Sequence, residues 1–323
     1  MDLQRRLAQG ELSEILGESL LDVDKMFRTL LLRHWGEEYL KNEQTIHPEA
    51  LTILDSFVKG INYYIKTQSH PMEYTILGFE PRPFTRLDCI SMAGYMAYSF
   101  AEGIKRDSLH TMLEDALTPE DLETIFPEHT LENKATILNP DGNSDYQKSL
   151  TSTLGKNTSH TAPKQMISHK NFIASLQMTL KNAANIDPPF EGSNSWVLAP
   201  SRSKSGHALI ANDPHVGIAN PGVWYEAHLK YPGYENYGYH IPLIPFPMIA
   251  HNSIKGWAIT MLENDDMDLY AETFHPQNPK LVKYKGDWVE IKTLDEQIKV
   301  KGKKDVPLTI RITPPWSGYK RFH

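Results

Sequence analysis

The hydrophobic period changes once along these 323 residues, and that change narrows the folds open to the chain. In the first part, apolar residues return at helical spacing. Leu12, Ile15, Leu16, Leu20, Val23 and Phe27 belong to one such run between Glu11 and Trp35. Leu51, Leu54, Phe57, Val58, Ile61 and Ile65 form a second stripe between Pro48 and Lys66, with Pro48 suited to a first helical turn. A third helix is predicted over Arg86–Ile104. A fourth starts at Thr118, where Pro119 takes the first helical position and Glu120 and Asp121 favour the positive end of the dipole. After Ser193 the pattern is one of short strands and turns: Ser195–Ala199, His207–Ala211, Val223–Tyr231, Trp257–Leu262, Leu269–Phe274, Trp288–Ile291 and Ile298–Val300. Helices followed by strands predict an α+β protein.

Between the halves, residues 138–164 are rich in Ser, Thr, Asn and Gly and read as a loop or linker, followed by a helix-like stretch from Ile167 to Asn182. A formal net charge of −7 leaves no basic footprint for nucleic acid. The most apolar stretch, Ile241–Ala250, is broken by Pro242, Pro245 and Pro247 and is too short to span a bilayer, so no membrane partner is expected. Met1 leads directly into a charged amphipathic segment, Asp2–Glu14, without a secretory apolar core. A cytoplasmic location is therefore expected if the chain is expressed as it stands. The single cysteine, Cys89, excludes an intrachain disulfide and reads as a small buried hydrophobe on a helix.

The periodicity changes beside Gly192-Ser193. Asp187-Pro188-Pro189-Phe190-Glu191 precedes it, a proline-broken stretch that suits neither a helix interior nor a central strand. A serine at such a loop-to-strand junction is placed to attack its own peptide bond, with Gly192 allowing a close approach to the backbone. Cleavage would leave Ser193 with a free α-amine, whose ordinary pKa of about 8 suits a general base for the neighbouring hydroxyl. An ordinary Gly-Ser-Asn-Ser turn is the alternative.

Further motifs stand in register with that serine. Ser193-Asn194-Ser195-Trp196, Asn212-Asp213-Pro214-His215, His251-Asn252, Trp257 and Asn264-Asp265-Asp266-Met267-Asp268 together resemble the penicillin acylase family of N-terminal-nucleophile hydrolases, in its cephalosporin and acyl-homoserine-lactone acylase branch. Asp2–Glu14 and Leu77–Phe84 resemble its α-subunit region. The resemblance implies an αββα sandwich, here incomplete. It divides the chain into a helical α-subunit region (1–139), a spacer (140–192) and the N-terminal part of a β-subunit (193–323). It also implies a precursor that cuts itself at Gly192-Ser193 into α and β subunits, then hydrolyses the linear amide of an N-acylated small molecule.

By that resemblance Ser193 is the nucleophile and the backbone N–H of Met261 is an oxyanion donor. His215 orients the Ser193 amine or the bound amide, and Asn194, His251 and Asn252 fix the backbone near the site. Phe100, Val216 and Ile249 match the acyl pocket, whose aliphatic walls suit an unbranched acyl chain. Asp265, Asp268 and the Met267 carbonyl match a structural Ca²⁺ site, with Asp107 or Glu102 as a further ligand and no organic cofactor. Family members are exported and carry a longer β-subunit. The family's second oxyanion donor, an Asn side chain, falls beyond His323, and residues 314–323 depart from the family pattern. The chain is therefore expected to be a fragment, with an inactive remnant of such an acylase as the other reading.

Overall fold

The computed structural model describes residues 1–101, 103–114, 116–125, 169–186, 190–220, 222–261 and 269–314. Helices α1 (Asp2–Gln9), α2 (Ser13–Leu16), α3 (Leu21–Thr29), α4 (Leu32–Lys41), α5 (Pro48–Thr67), α6 (Met72–Leu77) and α7 (Arg86–Phe100) come first. They are followed by α8 (Gly103–Glu114), α9 (Pro119–Ile125) and α10 (His169–Ala184). The described strands all come after them: β1 (Phe190–Leu198), β2 (Leu209–Val216), β3 (Tyr225–Tyr231), β4 (Tyr234–His240), β5 (Ile249–His251) and β6 (Gly256–Trp257). The remaining five are β7 (Phe274–His275), β8 (Asn278–Tyr284), β9 (Asp287–Glu290), β10 (Lys292–Ile298) and β11 (Val306–Ile312). Every pairing is antiparallel: ribbons β1–β2 and β10–β11, a meander β3-β4-β5-β6, and a three-stranded sheet β7-β8-β9. The α+β class expected from the change of period is what the chain adopts. No helix among the described residues is long and apolar enough to cross a membrane.

The chain forms two compact units, one of residues 1–103 with 177–323 and one of residues 104–176. In the second, Thr118 and Asp121 cap α9 reciprocally. The Thr118 hydroxyl donates to the Asp121 carboxylate at 2.6 Å, and the Asp121 N–H donates to that hydroxyl at 3.2 Å. This is the start predicted from Thr118-Pro119.

The first unit has its core where α1, α3 and α7 meet the segments before β3 and after β4. Leu7, Phe27, Met92, Tyr95, Ile241 and Leu243 are among its buried members. The helices approach closely because Gly10 ends α1 with φ 65°, and a Cβ there would meet the Asp24 carbonyl at 2.6 Å. The run from Glu11 to Trp35 is not one helix. Gly17 (φ 92°) and Leu31 (φ 60°) break it into α2, α3 and α4. The fully buried Asp24 folds α3 back on α2, its carboxylate accepting the N–H groups of Leu12 at 2.8 Å and Ser13 at 2.7 Å. The third predicted helix likewise stops at Phe100, because Ala101 is extended.

The N-terminus of α7 carries a polar cluster. Thr85 and Asp88 form a capping box, while Gln9 donates to Asp88 at 2.8 Å and Arg82 pairs with it at 2.9 Å. Arg5, fully buried, stacks on Phe84 with its guanidinium carbon 3.7 Å from the ring centre and pairs with Asp2. These contacts fix one end of α7; its other end, Phe100, reaches the site.

Candidate active site

The Gly192-Ser193 bond lies inside a paired strand. The sequence places it at a loop-to-strand junction, but β1 already begins at Phe190, and Ser193 pairs with Pro214 of β2. Just before the bond the register slips: Phe190 pairs with Val216 and Gly192 with His215, which leaves Glu191 as an extra residue. A bulge at this point twists the strand and re-aims the residues after it.

Side chains alternate across a ribbon, so Ser193, Ser195, Asn212 and Pro214 leave on one face and Gly192 and His215 on the other. On the first face the Met261 N–H donates to the Ser193 Oγ at 3.0 Å, across 68 residues of sequence. Both residues line a cavity of about 310 Å³. Its other described walls are Phe100, Pro214, Met248, Ile259 and Thr260. Mostly apolar side chains thus surround the Ser193 hydroxyl and one aimed backbone donor, a setting in which a hydrogen bond to developing charge counts for more than in water. Val216 and Ile249, predicted to line this pocket, are not among its described lining residues. Val216 packs on the core, as the lining residues Phe100, Met248 and Met261 also do, and Ile249 opens β5, paired with Tyr239.

On the second face, His215 Nε2 lies 3.2 Å from the Asp213 carboxylate, and both side chains are well exposed. The imidazole sits over Gly192, where a Cβ would come within 3.4 Å of Nδ1. That spacing leaves room for a methyl group, so close packing does not require the glycine. The structure therefore brings Ser193 to Met261 and sets His215 beside Gly192, on the far side of the ribbon from the Ser193 hydroxyl.

The other predicted residues frame the site. Asn252 closes the turn between β5 and β6, its side-chain oxygen accepting the N–H groups of Ile254 and Lys255 at 2.9 Å each. His251 packs against Tyr237, with ring centres 5.4 Å apart. The Trp257 indole donates to the Pro247 carbonyl at 3.1 Å. Asn194 is exposed and contributes its carbonyl. Asp265, Met267, Asp268 and Glu102 lie outside the described residues, and Asp107 is on α8 in the other unit. Cys89 is buried in α7. Burial, and then the neighbouring Asp88 charge, push its thiol up to about 12, so it is no nucleophile near neutral pH.

The profile of the family described as penicillin amidase matches residues 1–315. The chain belongs to the penicillin amidase family. Among curated members, it is similar to acyl-homoserine lactone acylase QuiP of Pseudomonas aeruginosa, with 26% identity over 312 residues covering 96% of this chain and 34% of that protein. It is similar to penicillin G acylase of Escherichia coli at 26% identity over 342 residues, covering 96% of this chain and 40% of that protein. Against penicillin acylase 2 proenzyme of a Pseudomonas species the identity is 25% over 309 residues, covering 94% and 37% respectively. This penicillin amidase family chain thus spans little more than a third of the length of those relatives.

Sequence reasoning about this penicillin amidase family chain left out several residues at the site, Pro214 and Ile259 of the cavity wall among them. Met248 and Thr260 line the cavity, and Asn212 links the ribbon to the segment that carries the Met261 donor. Asn212 was visible only as the first residue of Asn212-Asp213-Pro214-His215, where asparagine before Asp-Pro suggests a turn. Its position in a strand, facing the serine's side of the ribbon, is the signal that sets it apart.

Proposed function

We propose that the chain is the nucleophile-bearing portion of a self-processing amidohydrolase acting on the linear amide of an N-acylated small molecule. The observation that carries this reading is the Met261 N–H held 3.0 Å from Ser193 Oγ inside an apolar cavity. Family membership supports the same chemistry. In processing, Ser193 Oγ attacks the Gly192 carbonyl carbon and the C–N bond breaks. The nitrogen takes a proton to become the Ser193 α-amine, and water hydrolyses the resulting ester to leave a Gly192 carboxylate. In turnover, the neutral amine accepts the hydroxyl proton as Oγ attacks the substrate amide. The amine product departs with a proton, and water releases the acid from the acyl-serine.

Met261 is suited to both steps. A donor that already touches Oγ is within reach of the oxyanion that forms on the carbon Oγ attacks. His215, paired with Asp213 beside Gly192, is suited to orienting the new amine. The acyl group enters between Phe100, Met248 and Ile259, and flexible methionine walls suit an unbranched chain. The α-region, spacer and β-region division at 139 and 192 and the αββα sandwich belong to this reading. So does a structural Ca²⁺ held by Asp265, Asp268 and the Met267 carbonyl, and no step above runs through the ion.

Intact mass measurement and N-terminal sequencing of the purified chain test the proposal. A new N-terminus at Ser193, absent in Ser193→Ala, together with amine release from an N-acyl amide, is expected. An uncut chain without serine-dependent hydrolysis favours the inactive-remnant reading instead.

A further inference from the structure

We infer that Asn212 is a positioning residue for this reaction: its carboxamide sets the Met261 N–H against the Ser193 hydroxyl. The inference rests on the reading of Ser193 as nucleophile. Met261 lies beyond the end of β6, on a stretch that has no strand partner among the described residues. A single N–H on such a stretch stays aimed only if something nearby fixes the backbone.

Asn212 supplies that fixture two residues upstream of the donor. Its Oδ1 accepts the Ile259 N–H at 3.0 Å, and its Nδ2 donates to the Ile259 carbonyl at 3.0 Å. The side chain thus makes the two bonds that a neighbouring strand residue would make. Nδ2 also donates to the Asn194 carbonyl at 2.8 Å, on the residue next after the nucleophile. One planar group therefore ties the backbone beside Ser193 to the backbone two residues before Met261. With the amide turned over, its oxygen would face two carbonyls and its NH₂ an N–H, so the network itself fixes the orientation.

These bonds account for the residue type. Aspartate keeps the shape and can accept from Ile259 N–H, but it would set its charge against two carbonyl oxygens. Alanine leaves the Ile259 N–H and carbonyl without their partner. Either change frees the Met261 segment to drift, and a shift of about 1 Å in a reacting group costs on the order of 10²-fold in rate.

The test compares wild type, Ser193→Ala, Asn212→Asp, Asn212→Ala and Asn212→Gln in the full chain. The substrate is a para-nitroanilide carrying an unbranched acyl group, and the second readout is amide hydrogen exchange at Ile259 and Met261. For Asn212→Asp and Asn212→Ala we expect kcat to fall about 10²-fold with KM changed less than about threefold. The Met261 amide should lose protection, and the longer Asn212→Gln amide should recover part of kcat. Unchanged kcat in both variants, with Ser193→Ala inactive, overturns the positioning role and leaves the nucleophile intact. No serine-dependent turnover in wild type overturns the nucleophile reading instead. The exchange data then decide the tether alone: unchanged Met261 protection in Asn212→Asp overturns it, and faster exchange upholds it.

Discussion

Gly238 has no space for a side chain. A Cβ there would sit 2.2 Å from the Ile249 carbonyl oxygen and 2.6 Å from the Ala250 Cα, both backbone atoms of β5 that cannot swing aside. Gly238→Ala should therefore part β4 from β5 and lower stability by about 3 kcal/mol, read as a drop in thermal midpoint. An unchanged midpoint would mean that β5 does not pack there. Two residues on, His240 is buried and stacked on Tyr225, ring centres 5.1 Å apart, and its Nδ1 finds no partner among the described residues. Burial holds its pKa below the ordinary histidine value. The unfolded chain then binds the proton more readily, so stability is lost as pH falls through the histidine range and is retained above it. His240→Phe should flatten the decline in thermal midpoint between about pH 7 and pH 5, and equal slopes in the two proteins would remove His240 as the cause. Single residues of this kind were poorly legible in the sequence. Met248 lines the cavity just before β5 and Ile249 opens the strand, and nothing in Ile-Pro-Phe-Pro-Met-Ile sets where that strand begins. Asn212 looks like a turn former until its strand pairing is known.

At the scale of elements, α7 joins stability to the site, since Asp88 anchors its first turn and Phe100, its last residue, lines the cavity. Asp88→Ala removes the cap and the partner of Arg82 and Gln9, and takes a counter-charge from the buried Arg5. Breaking a buried pair in this way costs about 3–5 kcal/mol, so the variant should unfold at much lower denaturant or fail to accumulate. Asp88→Asn keeps the shape and part of the hydrogen bonding, and should fall between. A denaturant midpoint within error of wild type for Asp88→Ala would show that the cluster adds nothing. The helices were legible where apolar stripe and start signal agreed, as in α5 behind Pro48 and α9 behind Thr118-Pro119. They were illegible where a stripe ran through a turn. The period from Glu11 to Trp35 continues across Gly17 and Leu31, and the Asp24 contacts that fold the helices together are long-range. Strand β4 escaped notice because tyrosines alternate there with Glu, Asn and Gly rather than with clear core residues. The start of β1 was hidden behind Pro188-Pro189, which argue against a strand until Phe190.

For the molecule as a whole, the β1–β2 ribbon, two strands with no further sheet partner among the described residues, stands out for the large apolar side chains it exposes. Trp196 is 68% exposed and Val197 76%, one on each face, with exposed Ile210 paired to Val197 and exposed Leu209 one pair further along on the Trp196 face. A ribbon of that composition seeks cover, so the chain alone should associate as its concentration rises in sedimentation velocity. Val197→Lys should weaken that association, and a wild-type monomer at every concentration would refute it. The hydrogen bond from Met261 to Ser193 has a further consequence at this scale. Donor and hydroxyl are 68 residues apart, the hydroxyl on β1 paired with β2 and the donor just past β6 paired with β5. On the proposed chemistry, a chain in which those pairings are missing is not cut, so a severed bond marks a chain whose site is assembled. The precursor would thus act as its own inspector, and a misassembled copy would stay locked in the inactive form.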